Sequence, residues 1–165
     1  MSDVFTSMLD LPFEVRPAHE QSGDSSEADG LIALVGFAGA SVVGTGSLRC
    51  SAPLACKISG RFLMTEFPGV NSEVLDAIGE LGNMIIGNFK VAAEELLGPL
   101  ALTIPTVIHG RNFSTRTLSG EEWVVVPVAC GDDCMDVKVC VQEKPAVRRP
   151  LPANSSRAAD LVLNT

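Results

Sequence analysis

Hydrophobic and polar positions recur with a helical period most clearly over residues 72–98, SEVLDAIGELGNMIIGNFKVAAEELLG. At about 100° of rotation per residue, Val74, Leu75, Ile78, Leu81, Ile85, Phe89, Ala92 and Leu96 fall on one stripe. That stripe predicts the buried side of a helix running from Val74 to Leu97. Asp76, Glu80, Asn83, Gly87 and Glu94 fall on the opposite, outward side. Ser72 is the expected N-cap, since a serine hydroxyl accepts from free first-turn N–H groups. Glu73 and Asp76 put negative charge near the positive helix start. Gly98-Pro99 is the expected stop, and Gly82 points to the core edge.

The rest of the chain reads as strands around a second helix. LIALVGFA (31–38) and SVVGTGSLR (41–49) predict a hairpin turned by Gly39-Ala40. Ser51 caps a helix that carries Pro53 in its first turn and Leu54, Ile58 and Phe62 or Leu63 on its apolar stripe. Gly60 weakens its middle. ALTIPTVIH (101–109) and EEWVVVPVA (121–129) each hold a proline, which suggests edge positions or bulges. In CMDVKVCVQ (134–142), Met135, Val137, Val139 and Val141 share one face and Asp136, Lys138 and Cys140 the other. Gly131-Asp132-Asp133 is the turn before it. Phe13–Arg16 reads as a short strand, 17–29 as a polar loop holding His19, and 1–11 as a short helix with Val4, Phe5, Met8 and Leu9 on its apolar side. The expected fold is α+β: two layers, with a mostly antiparallel sheet and two long helices packed on one face.

Composition narrows the choices. The 165 residues suit one domain, 1–143, plus a tail, 144–165, rich in Pro, Ser, Asn and Arg and expected to be disordered. A net charge of −8 argues against a nucleic-acid partner. No apolar run is long enough to span a bilayer, and no secretory signal pattern is present, so no membrane partner is expected. The odd set of five cysteines forms no disulfide framework, which fits reduced thiols and a cytoplasmic setting.

Candidate chemistry is sparse. Glycines 36, 39, 44 and 46 lack the Lys-Ser/Thr of a phosphate loop and form no GxGxxG pattern. Cys130 and Cys134 resemble half a zinc site without its second half, and the hairpin explains their spacing, so no metal is expected. His19 and His109 read as solvated or structural. What remains is one acid and one amide, Glu80 and Asn83, a turn apart on a convex helix face. Solvation explains most polar helix faces. Here, however, Asn and three glycines replace the usual Glu, Lys and Arg, at roughly 0.5–1 kcal/mol of helix propensity each. Such a face suits the completion of a site on a partner protein. The carboxylate is able to pair with a lysine, the amide to orient a water, and the glycines to admit a partner backbone.

The stretch Glu80-Leu-Gly-Asn83-Met-Ile-Ile-Gly87-Asn88 resembles the helix motif of the CheX branch of the CheC/CheX/FliY family, phosphatases of the phosphorylated chemotaxis regulator CheY. The resemblance extends over 4–142. Val4-Phe5-Thr-Ser-Met8-Leu9 is similar to the end of the family's first helix, residues 30–37 with the strand that follows to its opening hairpin, and Ile104-Pro105-Thr106-Val107-Ile108-His109-Gly110 to the strand after the motif helix. A single motif copy fits CheX rather than CheC. The chain departs from the family in its short N-terminal segment, in Gly82 where CheX-like proteins often have Ala, and in its tail.

The resemblance implies a phosphatase for the phosphoaspartate of a CheY-like receiver. Glu80 would pair with the receiver's active-site lysine, and Asn83 would position the attacking water. Asp76, Met84, Gly87 and Lys90, with Glu94, would shape the docking surface. The chain would need no cofactor of its own; Mg²⁺ would be bound by the partner regulator. A homodimer is expected on the same ground. The alternative is a phospho-receiver-binding or switch-complex scaffold without catalysis.

Overall fold

The computed structural model describes residues 13–21, 28–113 and 122–144. Within them, strands β1 (Phe13–Val15), β2 (His19–Gln21), β3 (Ala28–Ala38), β4 (Val42–Cys50), β5 (Ala101–Leu102), β6 (Thr106–Phe113), β7 (Trp123–Cys130) and β8 (Asp133–Glu143) form one antiparallel sheet. Helices α1 (Ala52–Leu63) and α2 (Ser72–Leu97) cover one of its faces. The fold is therefore the expected α+β sheet-and-helix arrangement. The expected short helix over 1–11 and the tail beyond Lys144 lie outside the described residues.

The sheet centre is β7-β8-β4-β3, and each flank is filled by two pieces: the short β1 and β2 along β7, the two-residue β5 and the longer β6 along β3. Proline explains both divisions. Pro127 has no N–H to donate, and it lies between the β7 segments that pair with β1 (Val128–Cys130) and β2 (Trp123–Val125). Its carbonyl still accepts, from Arg16 N–H at 2.9 Å. On the other flank, residues 103–105 separate β5 from β6 and include Pro105. The stretch 17–29, expected as a loop, instead supplies β2, which pairs with the edge of β7, and the start of β3, which pairs with β6. His19 is thus an exposed strand residue, and His109 lies inside β6 opposite Leu31.

The hairpin register sets Leu31, Ala33, Val35 and Phe37 opposite Cys50, Leu48, Gly46 and Gly44. These residues, with Met135 and Val137 of β8, make the face under the helices. The opposite face carries Lys138, which is buried and donates from Nζ to Gln21 Oε1 at 2.8 Å. Burial pulls the Lys138 pKa down, nearby Arg49 adds to this, and Asp136 opposes it.

Both helices are capped by side chains. Ser51 Oγ accepts from Leu54 N–H at 3.3 Å at the start of α1, as expected. The cap of α2 is Asn71, not Ser72: Asn71 Oδ1 accepts from Val74 N–H at 3.0 Å, and Ser72 is the first helical residue. Both are good capping types, and the linker's backbone puts Asn71 in the extended conformation that a cap needs. The stop at Gly98 is as expected, with φ +74 and its N–H bonded to Glu94 O at 3.0 Å.

The buried stripe of α2 begins as expected with Val74, Ile78, Leu81 and Ile85. It then turns to Ala93, while Ala92 and Leu96 are exposed, Leu96 by 89%. Helix α1 has 12 residues against 26, and its Ser59 meets Val74, so the far end of α2 runs past it. There only the sheet offers cover, and the stripe follows the sheet.

Candidate functional site

Three close approaches fix the height of α2 over the sheet, and each uses a glycine. A Cβ on Gly82 would lie 3.0 Å from Ala33 Cβ, and one on Gly79 would lie 3.1 Å from Val107 Cγ2. From the sheet side, a Cβ on Gly46 would lie 2.2 Å from Ile86 Cδ1. The glycines Gly79 and Gly82 therefore serve the protein's own packing, which offsets their helix-propensity cost. Gly82 thus lies at the core edge as expected, while Gly79 corrects the expectation that the remaining helix glycines make room for a partner. Only Gly87 is part-exposed, and its nearest neighbour for a Cβ is Leu102 Cδ1 at 4.0 Å.

With α2 seated this way, Asp76, Glu80, Asn83, Gly87, Lys90 and Glu94 form one line along its outer face, spaced by four and three residues. The line spans about 27 Å at 1.5 Å per residue. Asp76 and Glu80 are exposed; Asn83, Gly87, Lys90 and Glu94 are half-buried. Met84 borders the line and packs partly into the core. No other described residue engages the side chains of Glu80 and Asn83 through a hydrogen bond or ion pair.

The lower end of the line is occupied. Lys90 Nζ lies 3.0 Å from Glu94 Oε1, which also accepts from Leu100 N–H at 2.8 Å. The Leu100 bond and, next, Lys90 hold the Glu94 carboxyl below the usual range. Lys90, expected as a docking residue, is thus already tied to a carboxylate that secures the helix end.

Along one flank the line is backed by residues that the sequence did not single out. Leu102 abuts Gly87, and Pro105 and Val107 abut Gly79. Their sequence signals were Pro105, which marked an edge, and the family-like strand 104–110; neither gave a hint of the helix beside them.

The arrangement is a convex surface with a carboxylate acceptor next to an amide that both donates and accepts. Among the described residues, no group of three or more His, Cys, Asp or Glu is placed to hold a metal ion. Three of the thiols are held in the protonated, weakly nucleophilic form: burial, with a smaller contribution from Cys56, pushes Cys50 up to about 12, and burial raises Cys56 and Cys130. An open cleft between α1 and residues 64–70 is lined by Cys56, Lys57, Arg61 and Phe67, away from Glu80 and Asn83. No described helix is long and apolar enough to cross a membrane.

Known proteins share this fold. The chain resembles CheX from Vibrio vulnificus (TM-score 0.75, 23% identity, 85% of this chain and 92% of that one). It also resembles the CheX of the CheX–CheY–BeF₃–Mg²⁺ complex from Borrelia burgdorferi (0.74, 23%, 86% and 92%). The middle domain of FliM from H. pylori is more distant (0.58, 14%, 84% and 81%). These likenesses concern the fold. No curated protein matches the sequence significantly. The family model of the chemotaxis phosphatase CheX matches residues 31–129, which include both helices and the whole Glu80–Asn83–Gly87 line. On that match, the chain belongs to the CheX family of chemotaxis phosphatases.

Proposed function

We propose that this protein hydrolyses the phosphoaspartate of a CheY-like receiver domain, with Asn83 positioning the attacking water. The observation that carries the reading is the Glu80–Asn83 pair: outward, one turn apart, engaged by no other described residue, and mounted on a helix that glycine packing holds close to the sheet. A convex face encloses no small substrate but fits into a cleft that another protein provides. The Borrelia relative bound to CheY with BeF₃ and Mg²⁺ supports a receiver as partner.

In this reading Glu80 pairs with a receiver lysine, and Asp76 and Met84 add contacts around it. The Asn83 amide holds a water in line with the bond from phosphorus to the aspartyl oxygen. The water oxygen bonds to phosphorus, the aspartyl oxygen leaves, and inorganic phosphate is released. The receiver's own Mg²⁺ supplies charge stabilisation, so this chain contributes orientation. The protein acts in the cytoplasm, where a receiver meets it.

The alternative, a phospho-receiver scaffold, draws on the FliM-like fold. An unengaged Asn83 beside Glu80 favours catalysis. Phosphate release from phosphorylated receivers of the same genome decides between them. Wild type should accelerate release and Asn83→Ala should abolish the acceleration with docking retained. Glu80→Ala should weaken docking by about 1–3 kcal/mol. Stoichiometric binding without faster phosphate loss would establish the scaffold instead.

A further inference from the structure

We propose that Ile104 is a second docking element for the receiver, one that sets affinity for the partner and leaves the chemical step untouched. The inference rests on the phosphatase reading above and adds to it an anchor on a different element of the fold.

Ile104 is 88% exposed, in the 103–105 stretch that joins β5 to β6. Single exposed hydrophobic residues are common and carry no message alone. Two features set this one apart. Its support is rigid, and its position is beside the catalytic line.

The rigidity comes from both sides of the residue. Thr103 is pinned to β3 by a reciprocal pair of hydrogen bonds: its N–H donates to Gly36 O at 2.9 Å, and its Oγ1 accepts from Gly36 N–H at 2.9 Å. Pro105 follows, which confines Ile104 to extended backbone. The side chain is itself β-branched and stiff. Phe37 pairs with Leu102 but Leu34 with Thr106, so the edge strand carries one extra residue between these points. An extra residue in an edge strand re-aims a side chain away from the sheet. Here it leaves an isoleucine standing in solvent with little freedom left to lose on binding.

The position follows from the neighbours. Leu102 abuts Gly87 of α2, and Pro105 abuts Gly79. The 102–105 segment thus runs alongside the helix from one glycine to the other, and Ile104 lies beside the turn that holds Asn83. On the opposite flank of the line stand Met84, half-buried, and Val91, 65% exposed. A receiver seated on Glu80 and Asn83 meets an apolar contact on each side of the polar pair, and the one at Ile104 is pre-organised.

The test uses the full chain and a receiver that wild type dephosphorylates. Phosphate release gives kcat and KM, and binding to the beryllofluoride- and Mg²⁺-loaded receiver gives Kd. Ile104→Asp should raise KM and Kd by about tenfold or more with kcat within about twofold, and Ile104→Val should stay within about threefold of wild type. Unchanged Tm for both variants, as expected for an exposed side chain, excludes misfolding as the cause. If Ile104→Asp keeps wild-type KM and Kd, the anchor is overturned and the phosphatase reading stands. If it alters the oligomeric state in light scattering while receiver affinity holds, Ile104 serves contacts between copies and the proposal is likewise overturned. If Asn83→Ala hydrolyses like wild type while Ile104→Asp still loses affinity, the water-positioning reading falls and the docking site stands.

Discussion

The seating of α2 on the sheet depends on Gly46, and the perturbation that tests it is Gly46→Ala paired with Ile86→Ala. A Cβ at 46 would lie 2.2 Å from Ile86 Cδ1, 2.6 Å from Cγ1 and 3.1 Å from Cγ2. Three atoms of one side chain are too close, so turning the end of the isoleucine is insufficient; the whole group has to move. Ile86 is only 1% exposed and has no space to enter. Overpacking of this kind costs about 1–3 kcal/mol, and the gain in strand propensity from replacing glycine offsets at most ~1 kcal/mol. Ile86→Ala alone leaves a cavity and costs about 2–5 kcal/mol. In the double variant the new methyl enters the space that the isoleucine vacates. The two costs should therefore fail to add, with the double variant more stable than their sum by at least about 1 kcal/mol. Urea unfolding of the four proteins at constant m-value measures this directly. Simple additivity would refute the argument, because it would mean that Ile86 does not control what residue 46 accepts.

Three further outcomes are expected. Asn71→Ala should lose about 0.5–2 kcal/mol in urea unfolding while Ser72→Ala loses a few tenths, since only Asn71 bonds the first turn; the reverse order would restore Ser72 as cap. Gly87→Ala meets nothing closer than 4.0 Å and gains up to about 1 kcal/mol of helix propensity, so its Tm should rise. If the partner needs clearance there, phosphate release falls in the same variant, and unchanged release removes Gly87 from the docking surface. The Glu94 carboxyl is held below its usual range, so its contribution to stability is present above the unfolded pKa and is lost as pH falls through the folded value. Glu94→Gln should flatten the acid limb of the stability–pH curve relative to wild type, and parallel curves would count against the Leu100 and Lys90 contacts.

The sequence by itself determined most of the elements and the polar line on the long helix. The 3.6-residue period of 72–98 separated a core face from a line of polar residues, and that line is present, with Glu80 and Asn83 bonded to no other described residue. The apolar run of 31–38, its hairpin partner 41–49 and the period-two alternation of 134–142 marked central strands, because each has one face against the helices. Local pattern works there, since the information lies within one element. Tertiary structure decided whatever depends on a neighbour from elsewhere in the chain. Strand β2 exists because β7 has a free edge, and Ala92 and Leu96 stay exposed because α1 is too short to reach them. The use of the glycines was only partly legible: helical phase put Gly82 at the core edge, as found, whereas nothing in the sequence context of Gly79 tells a close sheet from a close partner. The placement of Ile104 beside Asn83 is of the same kind. Twenty residues lie between them in the chain, and only the packing of the β5–β6 segment against Gly79 and Gly87 sets Ile104 on the flank of the turn that holds Asn83.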